Sequence, residues 1–521
     1  MSVRASLRLV SVFFFLLTFP ALACNLPVAP QETSAGTPDL PAPVKTADSA
    51  MPVETVRVPV LVQHFRGLRL PRDFNAPLPL DTYAGSGEQF PYVTQPGDTL
   101  DAIRRRFRLD STASLILPQP LEEFAYLPAG LEMQVPVFFS QTLTGAALFP
   151  DSEVVYGPPS AGFDVETWVA QTQGFLSRYS ETVDGETLSG AQIVRRVALE
   201  TSINPRLLLA VLEWRSGWVL GEPAGGNPEH PLGFDAPSHV GLYRELLLST
   251  RFLTMGYYGW RGGTLEQIEF ASGDAYPPSP FLNAGSVAVQ NLGAKFTGDL
   301  SRWANSLYGE QGLLAVYVRL FGSPWENALP YEPHLPAREA WNEPAWELPF
   351  PEGEAWSFTG GPHVAWGLGS PRGALDFAPI EQPKGCSTST RWATASAAGV
   401  VARSERGALV LDTDGDGQEQ TGWTLLYLHL ADEGRLPVGS SVQVNDRLGH
   451  PSCEGGIATG RHVHIVRRYN GEWIGVSPVT PFVLSGWEVQ AGELAYQGRL
   501  VKGEALVTAK PDGSVEARIQ R

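Results

Sequence analysis

Three short segments in the last third of the chain carry four of its nine histidines: GPHVAWGLGSPRGALDFAP, GWTLLYLHLAD and ATGRHVHIVRR. Each reads as β-strand flanked by Gly-rich turns, which commits this region to a strand-built domain. In His462-Val463-His464, the alternation of a strand puts both imidazoles on the same sheet face. That suits one histidine as a metal ligand and the other as a proton handler beside it. His363 and Asp376 supply a second imidazole and a carboxylate from separate strands or loops. Two His and one carboxylate around a tetrahedral ion leave one position for water, the arrangement of a catalytic rather than a structural zinc site. A lone His-x-His pair arises by chance in many sheets; three His-bearing segments with a suitable carboxylate are harder to dismiss.

The 521 residues suggest three or four domains. Apolar residues make up 43% and charged ones 18%, so buried cores are well supplied and global disorder is excluded. A net charge of −17 argues against a nucleic-acid partner, which would want a clustered basic face. At the N-terminus, Arg4 and Arg8 precede an apolar run, Leu9 to Leu22, which ends in Ala21-Leu22-Ala23-Cys24. Residues 1–23 therefore read as an export signal, too short to span comfortably as a mature helix. With Cys24 directly after it, the segment resembles a bacterial lipoprotein signal, which implies acylation of Cys24. The protein is then extracytoplasmic, anchored to the membrane through lipid, or secreted if Cys24 is not acylated. With Cys24 in the signal, Cys386 and Cys453 remain, and an even pair in an exported chain is most simply one disulfide.

Residues 24–55 are Pro-, Ala- and Thr-rich and read as a tether, able to carry the body on the order of 100 Å from a membrane. Residues 56–90 hold short β-like runs without an assignable role. Residues 91–137 read as a strand, a Gly97-Asp98 turn, and a helix with Leu100, Ile103 and Phe107 on one face. Asp98 is placed to cap that helix, and a closing strand, Leu131 to Val135, ends at Pro136. Through Gly97-Asp98-Thr99-Leu100 and Leu127-Pro128-x-Gly130 this unit resembles a LysM module, a small βααβ fold that binds N-acetylglucosamine-containing glycans. Residues 163–335 turn helical, with a helix in Ile203–Val219 starting at Asn204-Pro205 and further runs near 241–255 and 310–321. The phrase LLLAVLEWRSGW resembles the catalytic helix of lytic transglycosylases and related lysozyme-like domains, which use a Glu immediately before Ser-Gly as general acid. Arg215 stands there and cannot give up its proton. Glu213 lies roughly 200° around the helix. The expectation is a mostly α, lysozyme-like domain without glycosidase activity.

Residues 345–507 resemble the lysostaphin-like zinc endopeptidases, and specifically the β-lytic/staphylolysin branch. In the common branch the first ligand histidine lies four residues before the Asp, where this chain has Arg372. In the β-lytic branch it lies thirteen before, the spacing of His363 to Asp376. SGWEVQAGELAYQGRLV (Ser485–Val501) is similar to that branch's closing strands, and Cys453 sits where the branch places a cysteine. Arg461 and Ile465 replace the usual Pro and Phe around the His-x-His. The resemblance implies an all-β, antiparallel catalytic domain with one Zn²⁺ held by His363, Asp376 and His464. It makes His462 and His429 the proton-handling pair, and sets Cys386 and Cys453 to clamp strands behind the site. Tyr496 is a lesser candidate for an oxyanion donor, with a packed aromatic as the preferred reading. Residues 508–521 are set apart as a C-terminal tail. In LDTDGDGQEQTGW, Asp412, Asp414 and Asp416 alternate as in a calcium loop, but the twelfth position is Trp423 rather than Glu. A solvated hairpin turn is preferred there to bound Ca²⁺.

The expected whole is a multidomain cell-wall protein with peptidoglycan glycan strands and peptides as partners. Its activity would be zinc-dependent hydrolysis of stem or cross-bridge peptides. The alternatives are a non-catalytic wall-binding scaffold that activates other hydrolases and a secreted bacteriolytic protein.

Overall fold

The computed structural model describes residues 65–521, apart from 72, 119, 120, 122–124, 224–226, 235, 337 and 383. The export signal, Cys24 and the 24–55 tether lie outside the described residues. Among the described residues, no helix is long and apolar enough to cross a membrane.

The first unit pairs strand Glu88–Val93 with strand Glu132–Val137 antiparallel, with helix Leu100–Arg106 between them in sequence. Leu100, Ile103 and Phe107 are buried against Tyr92, Met133 and Val135, as the helical spacing requires. Three details depart from the sequence reading. Thr99, not Asp98, caps the helix, its Oγ1 accepting the Ala102 N–H at 3.1 Å. Asp98 turns inward, accepts from the Tyr92 hydroxyl and the Gln95 N–H, and pairs with Arg106 at 2.6 Å. A carboxylate in that position must have its charge met, and a threonine hydroxyl serves the cap. The second helix of the βααβ order is, among the described residues, a single 3₁₀ turn, Thr112–Ser114. The closing strand also runs through Pro136 to Val137, which a narrow two-stranded ladder tolerates.

The helical unit is built around helix Pro205–Ser216. Asn204 caps it through a hydrogen bond from the Arg206 N–H at 2.9 Å, with Pro205 in the first turn and left-handed Gly217 at its end. Leu207 to Leu212 are all buried, so this helix lies inside the unit rather than on its surface. The Glu213 carboxylate closes the helix end, accepting from the Val219 and Leu220 N–H groups at 3.0 Å, while Arg215 donates to the Leu232 carbonyl. Helix Leu242–Arg261 extends past the expected 255 because Tyr257, Trp260 and Arg261 are buried too.

The last unit is an antiparallel sheet of nine strands among the described residues. Its central order is 399–405, 408–412, 423–428, 463–469, 372–379, 355–364, then 518–520. Leu375, Phe377, Leu425, Tyr427, Val463 and Ile465 point to one face and form the main core. Ala374, Val410, Leu426, Leu428 and Val466 point to the other. A four-stranded sheet spans Val483 to Thr508. Residues 508–521 are no tail: Arg518–Gln520 pairs with strand Ala355–Val364, and Ala517 and Ile519 are buried. Three residues cover an otherwise open sheet edge.

The units are joined by buried charge. The turn Asn470-Gly471 carries Glu472 into the helical unit, where Arg261 meets it with two hydrogen bonds of 3.0 Å. Tyr257 donates to the same carboxylate at 2.8 Å, and His334 approaches it at 3.3 Å. Arg261 also pairs with Asp151 at 3.1 Å and donates to the Pro96 carbonyl of the first unit. Burial works against charge on Glu472, but Arg261, His334 and Tyr257 outweigh it and hold the carboxyl below the usual glutamate value.

Arg261→Met leaves Glu472 and Asp151 buried without their cation and is expected to destabilise the docked units by about 3–5 kcal/mol, read as a lower denaturant midpoint. Because the folded Glu472 pKa lies below its unfolded value, its contribution is complete above about pH 4.3 and is lost as pH falls through the folded value. Glu472→Gln should therefore flatten the acid limb of a plot of midpoint against pH.

Candidate metal centre

Strand register brings the predicted ligands together. Asp376 lies directly opposite His464, and both belong to the sheet face that also bears Ala374 and Val466. His363 joins them from the neighbouring strand, paired with Ala374 beside a register shift. A side chain at Gly360 would place its Cβ 2.4 Å from Asp376 Oδ2, so glycine there lets the carboxylate settle against the strand. His363, Asp376 and His464 are all buried. Asp376 Oδ1 lies 3.4 Å from His363 Nε2 and 3.3 Å from His464 Nδ1, and the two nitrogens are 3.1 Å apart.

The remaining ring nitrogens fix what faces the centre. His363 Nδ1 is 2.9 Å from the Gly361 carbonyl, and His464 Nε2 is 3.2 Å from the Ala365 carbonyl. A carbonyl only accepts, so those nitrogens carry a proton, and in a ring with one proton the inward nitrogen presents its lone pair. Two lone pairs and a carboxylate oxygen thus converge without a proton among them. Asp376 Oδ1 itself is buried and has no hydrogen-bond partner. A buried acceptor in that state is the kind of donor atom a cation would meet. The N₂O donor set with room for a further ligand suits zinc, so the residues present fit the expected group.

His462 and His429 stand beside this cluster. His462 Nε2 is 3.6 Å from Asp376 Oδ1, and its Nδ1 faces the Gly460 carbonyl at 2.8 Å. His429 follows strand Trp423–Leu428 with a φ of 66°, a left-handed conformation uncommon for histidine. Its carbonyl accepts the Ser452 N–H at 2.7 Å and its Nδ1 faces the Glu454 carbonyl at 2.8 Å, which hold the turn. The two rings lie 4.5 Å apart. Burial, reinforced by His462 and His464, pushes the His429 imidazole down to about 3. Burial also lowers His363, against the pull of Asp376.

Cys386 and Cys453 form a disulfide, but it ties loops rather than strands. Gly385 next to one cysteine accepts the Arg461 N–H, and Ser452 next to the other bridges to His462, so the link lies beside the site and not behind it. Tyr496 stacks on His363 with ring centroids 4.1 Å apart, and its carbonyl accepts the Gly361 N–H. Arg372, which stands at the other branch's ligand position, has a structural task the motif did not reveal. Its guanidinium donates to the Pro362, Gly492, Glu493 and Leu494 carbonyls and so fastens the loop that delivers Tyr496. A cavity of about 300 Å³ opens beside Asp376 and His462, walled by Thr359, Lys384, Tyr496 and Asp512. Far from it, Asp412, Asp414 and Asp416 bring carboxylate oxygens within 4.8 Å of one another. The loop's own N–H groups bond to these carboxylates.

Residues 147–336 match the family model described as LasA, N-terminal domain. Over 376 and 373 residues the chain is 28% identical to Protease LasA of two Pseudomonas aeruginosa strains, covering 65% of this chain and 80% of those proteins. Among solved structures it is similar to an M23 metalloprotease, pseudoalterin, from the deep sea, at 24% identity and a TM-score of 0.28, covering 32% of this chain and 95% of that one. The catalytic domain of lysostaphin from Staphylococcus simulans is 19% identical with a TM-score of 0.16, covering 24% of this chain and 85% of that one.

Calorimetric titration with Zn²⁺ is expected to show one site per chain in wild type and in His429→Ala, and none in Asp376→Ala. Because burial lowers His363, protonation of that ring should compete with the metal only at a lower pH than for a solvent-exposed histidine, read as the pH dependence of Zn²⁺ affinity.

Proposed function

We propose that this chain is a zinc-dependent endopeptidase that hydrolyses peptide bonds in the stem or cross-bridge peptides of peptidoglycan. The observation that carries this reading is the convergence of two imidazole lone pairs and the unpartnered Asp376 Oδ1, with two further histidines alongside. The similarity to Protease LasA supports a peptidase, and the LysM-like first unit supports a wall polymer as substrate.

In this reading His363, Asp376 and His464 hold the metal. Zinc bound there supplies an acidified water and a polarised scissile carbonyl. His462 and His429 supply the proton chemistry. With Nδ1 of each ring donating to a backbone carbonyl, Nε2 is the basic nitrogen of both. One accepts the proton of the attacking water and, once charged, can pass it to the leaving amine. The other, when protonated, donates a hydrogen bond to the tetrahedral oxyanion. The backbone anchors hold both rings against rotation during those transfers, and the cavity beside Asp376 and His462 receives one side of the peptide. Acylation of Cys24 would keep this machinery at a membrane surface within reach of the wall.

The decisive measurement is zinc content together with release of new amino groups from purified peptidoglycan. Wild type should hold stoichiometric zinc and release amines, and His464→Ala should lose both. His429→Gln should keep its zinc while its rate falls by roughly 10²–10⁴-fold, the usual span for losing an acid–base group. Zinc without amine release would overturn the assigned substrate; no zinc and no release would favour the scaffold.

A further inference from the structure

The sheet face that bears the metal ligands does not end at the metal. Directly opposed residues of an antiparallel ladder share a face, and one such row runs Ala408, Leu428, His464, Asp376. Ala408 therefore lies on the ligand face two strands from His464, roughly 10 Å away at the spacing of strands. At this end of the row a cavity of about 400 Å³ opens, with Ala408 in its lining. Two further contacts tie it to the metal centre. Trp366 in its wall follows Ala365, whose carbonyl anchors His464 Nε2. Gly456 in its wall packs beside His429, where an added Cβ would lie 3.5 Å from the ring.

The opposite wall belongs to the helical unit. Asp184, Arg196 and Glu200 face Glu405 and Arg406 of the sheet across this space. Arg196 pairs with Glu200 at 2.8 Å and with Asp184, and Arg406 reaches toward Glu200 at 3.9 Å. The wall thus alternates carboxylate and guanidinium groups. Such a wall offers both donors and acceptors to a polar side chain, and burying an apolar one against it would desolvate ionised groups without compensation.

We propose that this cavity is a far subsite of the substrate cleft, built jointly by the helical unit and the sheet. It takes a polar, hydrogen-bonding side chain of an extended peptide whose scissile bond lies at the metal. An extended chain rises about 3.3 Å per residue, so that side chain stands about three residues from the bond cleaved. The proposal rests on the peptidase reading for what occupies the cleft. It makes the helical unit a determinant of which peptide is chosen, with Asp184 and Arg406 as specificity-determining residues outside the reacting groups.

The test uses the full chain and two glycine-rich peptides, identical except for Gln or Leu at the third position on either side of the centre. Affinity is read by fluorescence anisotropy on chelator-treated protein, and kcat and KM on the zinc-loaded protein. The Gln peptide should bind wild type about tenfold more tightly than the Leu peptide, a difference of about 1.4 kcal/mol. Arg406→Ala and Asp184→Asn should erase that preference through KM, with zinc content unchanged. Asp184 sits in a left-handed turn, which asparagine adopts readily, so its variant tests the contact rather than the fold. Equal affinities for the two peptides in wild type would overturn the subsite. So would faster cleavage of every peptide by Arg406→Ala, which would mark the helical wall as an obstruction. A binding preference that the variants erase, without cleavage of any peptide, would uphold the subsite and overturn the peptidase reading.

Discussion

Arg261 is the point through which the three units are held in one arrangement. Its guanidinium faces the buried carboxylates of Glu472 from the sheet and Asp151 from the helical unit, and the Pro96 carbonyl from the first unit. Desolvating such groups is expensive, and the cost is met only when every partner arrives in the right geometry. The approach is close enough that Gly471, with a φ of 76°, has no room for a side chain, since an added Cβ would lie 2.1 Å from the Tyr156 carbonyl.

That docking decides what surrounds the chemistry. The sheet has two faces, and period-two alternation sends Leu375, Phe377, Val463 and Ile465 to the core and Asp376 and His464 to the opposite side. Because the hairpin bearing Glu472 extends from the His464 strand, its insertion lays the helical unit over part of the ligand face. The helix Gly190–Thr201 then contributes Arg196 and Glu200 to a wall that the sheet alone leaves open. The His363–Asp376–His464 cluster and the inter-unit cavity follow from one register and one docking contact.

At the candidate metal centre, side chains supply the donor atoms and backbone carbonyls supply the orientation. Gly361, Ala365, Gly460 and Glu454 each anchor one imidazole through its outer nitrogen. A carbonyl is present at every position of a chain, so a sequence carries no mark of which ones will do this. The spacing of His363 to Asp376 and the alternation of His462 and His464 were legible because ligand chemistry is restricted to few residue types. Arg372 was visible only as a departure from a motif, and its task of fastening the loop around Tyr496 required the loop's position. Asp98 shows the same limit: a local rule makes it a cap, but a long-range partner, Arg106, draws it inward.

The sequence by itself determined the order of the units, the strand character of the histidine segments, the helix that starts at Asn204-Pro205, and the residue types able to bind a metal. Those follow from local periodicity, capping and donor chemistry, which act over a few residues. Only the tertiary structure decided that Arg518–Gln520 complete a sheet edge and that the disulfide ties the loops beside His462. It alone brought Asp184 and Arg196 to the end of the ligand face. Each of these joins residues far apart in the chain, and such pairs are set by packing and buried charge rather than by neighbouring residues.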